Sequence, residues 1–170
     1  MSDTFRPAGS PPTNIFLTGL SGLQRAASVL APPVLRIALA LPFLRSGLTR
    51  WDGFLQLSPS TGFLFSDIFR LHILGGEYPI PAPEQVAFMT GLAEITLPVL
   101  LILGFATRLS ALGLLAMTAV IQLVVPEGWA NFHLYWAAIA LAILALGPGS
   151  LSLDRLLVSF RSHLASKTAD

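Results

Sequence analysis

The 170-residue chain contains no cysteine, which removes structural disulfides, thiolate metal ligation and dithiol redox chemistry together. Charge is scarce as well. Only 11% of residues are Asp, Glu, Lys or Arg, the net charge is +1, and no basic run interrupts the sequence. Nucleic-acid binding needs a patch that neutralises phosphates, so it is excluded. Of the three histidines only His133 falls near an apolar stretch, which leaves a bis-histidine haem without its second ligand. No metal site and no covalently bound cofactor are expected.

What the chain has in excess is hydrocarbon: 54% of residues are hydrophobic and the mean hydropathy is +0.72, the composition of an integral membrane protein. Four stretches approach the roughly 17–25 residues needed to cross a bilayer, namely Leu30–Leu48, Gln85–Leu103, Leu109–Val125 and Phe132–Leu146. The expected fold is all-α, a four-helix transmembrane bundle with short interfacial helices. Residues 1–28 read as a Pro, Gly and Ser-rich arm followed by an interfacial lead-in, 29–150 as the membrane domain, and 151–170 as an amphipathic tail. Ser152 has the place of an N-cap for a helix over Leu153–Leu164 that carries Arg155 and Arg161. Between Asp52 and Glu84 the chain is too polar to span. Phe63–Leu74 there reads as an interfacial helix supported by Asp67 and Arg70, forming either a lid or a plain connector.

The second span organises the rest, because it carries Glu94 near its middle and Pro98 one turn later. A lone carboxylate at membrane depth costs at least a few kcal/mol, so it must face other helices and be protonated, paired or hydrogen-bonded. Thr90, Gly91, Glu94 and Pro98 share one face, a small and polar stripe suited to close packing. Pro42, Arg45, Thr49 and Asp52 form a second polar stripe that could meet it, which makes Arg45 the expected partner of Glu94 and Arg36 the competitor. Arg36 and Arg45 are nine residues apart and therefore point to opposite faces of their helix.

Glu94, Arg45 and Arg36 are thus the candidate polar or catalytic centre, with His133, Gln122 and Trp136 as candidate ligand contacts from the outer half of the membrane. Imidazole, guanidinium and carboxylate together suit a small lipophilic molecule with a polar head, such as a quinone. The same residues also fit a purely structural clasp between helices, and His133 with Trp129, Tyr135 and Trp136 an interfacial aromatic belt. Six Lys or Arg side chains (Arg6, Arg25, Arg108, Arg155, Arg161, Lys167) fall on one side and two (Arg50, Arg70) on the other, so both termini are expected in the cytoplasm.

Leu35-Arg36, Gly47-Leu-Thr-Arg50, the run from Glu94 to Gly104-x-x-Thr107-Arg108, and Gly147-Pro-Gly-Ser-Leu-Ser-Leu-Asp154 together resemble the DoxX family of small bacterial membrane proteins, over roughly Leu30 to Leu157. The family usually carries Lys where this chain has Arg50. The resemblance implies a four-helix bundle in the bacterial inner membrane. For some relatives it also implies a membrane subunit of a thiosulfate:quinone oxidoreductase or of an oxidant-defence assembly. An inner-membrane, redox-associated subunit that binds a quinone is the leading expectation. The alternatives are a non-catalytic anchor that recruits a soluble partner through its tail, and a small-solute transporter; a homo-oligomer is left open by each.

Overall fold

The computed structural model describes residues 13–167, and side chains over 19–162. The Pro/Gly-rich arm expected at the N-terminus falls on 1–12 and lies outside the described residues. Among the described residues four helical segments are long and apolar enough to cross a membrane, the fourth running from Pro126 to Leu146. α1 (Thr13–Leu48) is continuous through the stretch expected as a separate lead-in, and carries Pro32, Pro33 and Pro42 within it. α3 (Pro83–Leu103) and α4 (Thr107–Val124) form a hairpin around Gly104, whose φ of 68° closes the helix in the left-handed region. α5 (Leu134–Leu146) follows a short 3-10 turn at Pro126–Gly128 and a π turn at Trp129–His133.

Packing runs α1 to α3, α3 to α4, α4 to α5 and α5 back to α1, which makes a four-sided bundle. Its core is formed by Leu39, Ala40 and Phe43 of α1, Leu101 of α3, Ala111 and Leu114 of α4, and Ala140 and Ile143 of α5. The outward faces are studded with exposed leucines and valines, as lipid contact requires.

Residues 51–82 form a cap at one end of the bundle. β1 (Trp51–Gly53) pairs with β2 (Gln56–Leu57), then α2 (Pro59–Phe63) continues into a π turn at Leu64–Ile68. The helix expected over Phe63–Leu74 stops there. From Arg70 the chain is extended, and β3 (Arg70–Ile73) pairs antiparallel with β4 (Gly76–Pro79). Leu74 and Gly75 both have positive φ, as a two-residue primed turn demands, and this local geometry prevails over helical periodicity. Arg70 bonds the carbonyls of Ser66 and Phe69 instead of the Asp67 carboxylate. Phe65, Ile80 and Ala87 form a second small core that fixes the cap on the first turns of α3.

At the opposite end α6 (Leu153–Lys167) starts as expected, with the Arg155 amide donating to Ser152 Oγ at 3.3 Å.

Candidate functional site

Glu94 is 1% exposed, in the middle of α3, with Gly91 and Pro98 buried on the same face. Gly47 of α1 lies directly against it: a Cβ at position 47 would come within 2.8 Å of Glu94 Cβ and 3.0 Å of its carbonyl oxygen. Pro98 cannot donate to that carbonyl, so the helix backbone is open where α1 makes its closest approach. Glycine is required at 47 for this contact.

The partner of Glu94 is Arg50. Arg50 Nε donates to Oε2, Arg50 Nη2 to Oε1 at 2.8 Å, and Ser46 Oγ to Oε1 at 3.2 Å. Two parallel N–H bonds to one carboxylate are the strongest geometry open to an arginine. Neither expected partner is used. Arg45 is exposed on the far side of α1, and Arg36 sits at the other end of the bundle. The reason is rotational: Leu39, Ala40, Phe43 and Gly47 face inward, and Arg45 projects from the opposite side, while Arg50 lies just past the end of the helix on the inward side.

The cap holds Arg50 from three directions. Its carbonyl accepts from the Ser58 amide at 2.8 Å and from Thr61 Oγ1 at 3.2 Å, and its guanidinium carbon lies 5.1 Å from the centre of the Phe65 ring. Ser58 in turn caps α2, accepting from the Thr61 amide.

Arg50, Ser46 and Glu94 form one wall of a cavity of about 390 Å³ at the cap end of the bundle. Pro42 and Phe43 of α1, Val86 and Thr90 of α3, Val120, Ile121 and Val124 of α4, and Trp136 of α5 complete its sides, and Phe65, Phe69, Leu71 and Ile80 of the cap roof it. The stretch read as either lid or connector is thus a roof. Both Glu94 oxygens are engaged, whereas Arg50 Nη1 has no acceptor among the described residues. The pair therefore offers the cavity hydrogen-bond donors and little net charge.

Of the expected ligand contacts, Trp136 lines this cavity and packs on Phe43, ring centres 5.1 Å apart. Gln122 and His133 do not. Gln122 Nε2 donates to the Pro126 carbonyl at 3.0 Å, which leaves Oε1 to accept from His133 Nδ1 at 2.6 Å. The two side chains tie the α4 to α5 connection together. Among the described residues no three His, Asp or Glu side chains gather as a metal ion would need.

A second polar cluster closes the other end. Arg36, 2% exposed, donates through Nη2 to the Leu151 carbonyl, and its Nη1 lies against Gly104. Asp154 accepts from the Ala106 and Thr107 amides at 2.8 and 2.9 Å and donates its own amide to the Gly104 carbonyl. α4 has no capping side chain of its own at Ala106, so Asp154 caps it from α6. Burial pushes the Asp154 carboxyl up, but the amides of Thr107 and Ala106 and the charge of Arg36 outweigh it and hold the group below the usual range. Two motifs far apart in sequence, around Gly104 and around Gly147–Asp154, are here one latch.

Arg50 is the residue that sequence reasoning missed as a site member. The signal was present: Arg36 and Arg50 are fourteen residues apart, about 40° on a helical wheel, with Gly47 between them on the same face.

The DoxX family model matches residues 31–127, which is 97 of the 170 residues and takes in α1 from Ala31, the cap, α3 and α4. The Gly147–Asp154 run lies outside that match. No curated protein and no solved structure matches the chain.

Proposed function

The chain belongs to the DoxX family of membrane proteins, and from that premise we propose that it is a redox-associated subunit of the bacterial inner membrane that binds a quinone beneath its cap. The observation that carries this reading is the cavity itself. It is walled by hydrocarbon, and its polar end is a guanidinium whose charge is balanced by Glu94. A neutral ring with carbonyl oxygens suits such a wall: the carbonyl accepts from Arg50 Nη1, and the ring packs among Phe43, Phe65 and Trp136. Charged heads suit it less, because the neutralised pair gives them no net attraction.

Orientation follows the charges. Arg25, Arg108, Arg155 and Arg161 gather at the latch end, against Arg45, Arg50 and Arg70 toward the cap end. The latch end and both termini belong in the cytoplasm, and the cap outside.

The test is binding by the purified protein. A short-chain quinone titrated into the detergent-solubilised chain should quench Trp136 fluorescence saturably, and Trp136→Phe should remove most of the signal. Arg50→Gln should weaken affinity about tenfold or more, the loss of one charged hydrogen bond. No saturable binding by the unmodified chain would reject the quinone reading and leave an anchor that recruits a soluble partner.

A further inference from the structure

Among the described residues nothing covers the apolar stripe of α6. Leu153, Leu156, Leu157 and Phe160 fall within about 100° on a helical wheel, and they are 39, 60, 50 and 73% exposed. On the other side lie Arg155 and Ser162 with the single apolar Val158, Arg161 sits at the flank, and the one acid, Asp154, is already engaged by the α4 amides. We propose that α6 is an in-plane anchor, its apolar stripe bedded in the leaflet on the latch side and its arginines set against anionic lipid headgroups.

Two observations choose lipid as the occupant. The start of α6 is fixed at the boundary of the spans, since Asp154 holds the first turn of α4 and Leu151 is bonded by Arg36 of α1. Exposed apolar side chains of the bundle, Leu103, Phe105 and Leu109, also flank the Gly104–Thr107 turn to which the start of α6 is tied. Charge complementarity is the third argument. Arg25, Arg108, Arg155 and Arg161 crowd this end beside a single described acid outside the spans, the balance that binds anionic lipid. A soluble protein partner would have to compete with the bilayer for the same stripe.

Because the chain lacks cysteine, an introduced one can be labelled without background. Phe160→Cys, Leu157→Cys and Ser162→Cys, each in the full chain and carrying an environment-sensitive fluorophore, are reconstituted into phosphatidylcholine vesicles with or without phosphatidylglycerol. Positions 157 and 160 should be quenched by a lipid-attached shallow quencher. Both should be shielded from aqueous iodide roughly threefold more than 162, with shielding greater when phosphatidylglycerol is present. Arg155→Gln with Arg161→Gln should abolish the dependence on phosphatidylglycerol. Equal iodide access at 160 and 162 would overturn the proposal, as would equal shielding in the two lipids. Shielding from both quenchers would show that protein covers the stripe, and would overturn it too.

Discussion

Two inward arginines of the first span, Arg36 within α1 and Arg50 just past its end, meet opposite fates. Arg50 is paired through Nε and Nη2 to a buried carboxylate and opens onto a cavity, whereas Arg36 is buried more deeply, with a backbone carbonyl as its acceptor, and seals the bundle. The difference lies in what surrounds them. Around Arg50 the helices part beneath a cap, and Thr90, Val120 and Trp136 face open space. Around Arg36 the chain closes in through Gly104, Ser152 and the Asp154 latch. A buried arginine is therefore a marker of function only where its neighbours leave room for something else to bind.

That contrast should be visible first in stability. Arg50→Ala strands Glu94 in a buried, unpaired state and should cost about 3–5 kcal/mol, read as loss of folded yield and of melting temperature in detergent. Arg36→Met strands no carboxylate, because Asp154 keeps its two amide donors, and should cost about 1 kcal/mol from the lost bond to Leu151. Equal losses would break the distinction between the two ends.

The next effect in size concerns the glycines that bring the backbones together. Gly104→Ala meets both a left-handed φ and the Arg36 guanidinium, and should cost about 2–4 kcal/mol. Gly47→Ala meets only Glu94, at 2.8 Å, so it should cost about 1–3 kcal/mol and weaken quinone binding, which Gly104→Ala should spare. Melting curves and the fluorescence titration together separate the two.

The smallest effect sharpens the latch. Asp154→Asn removes an ionised cap and should cost about 1 kcal/mol near neutral pH. The folded Asp154 carboxyl lies below its unfolded value of about 3.9, so its contribution is fully present above that pH and is lost as pH falls through the folded pKa. Stability of the unmodified chain should drop across that acid window more than that of Asp154→Asn.

The bundle was legible in the sequence because hydropathy alone reports spans, and the inward stripe of Thr90, Gly91, Glu94 and Pro98 follows from helical spacing. The partner of Glu94 was not, because the polar stripe of Pro42, Arg45, Thr49 and Asp52 drew the choice to Arg45, on a face that packing sends outward. Arg50 lies beyond the last helical turn, and its reach back to α3 depends on a cap whose hairpins are set by local turns. Gly75-Gly76 signalled the β3 to β4 turn, but Phe63–Leu74 is equally periodic as a helix. Gln122 and His133 were read as ligand contacts from the same half of the membrane, whereas the structure turns them toward each other and away from the cavity.

The most direct test of the buried pair at the head of the cavity is a double-mutant cycle over Arg50→Gln and Glu94→Gln, followed by unfolding in detergent. Each single change leaves one buried charge alone, while the double change leaves two amides of similar shape. A double mutant about 2 kcal/mol or more stabler than the sum of the singles is the expected result. Additivity to within about 0.5 kcal/mol would contradict the pairing of Arg50 with Glu94.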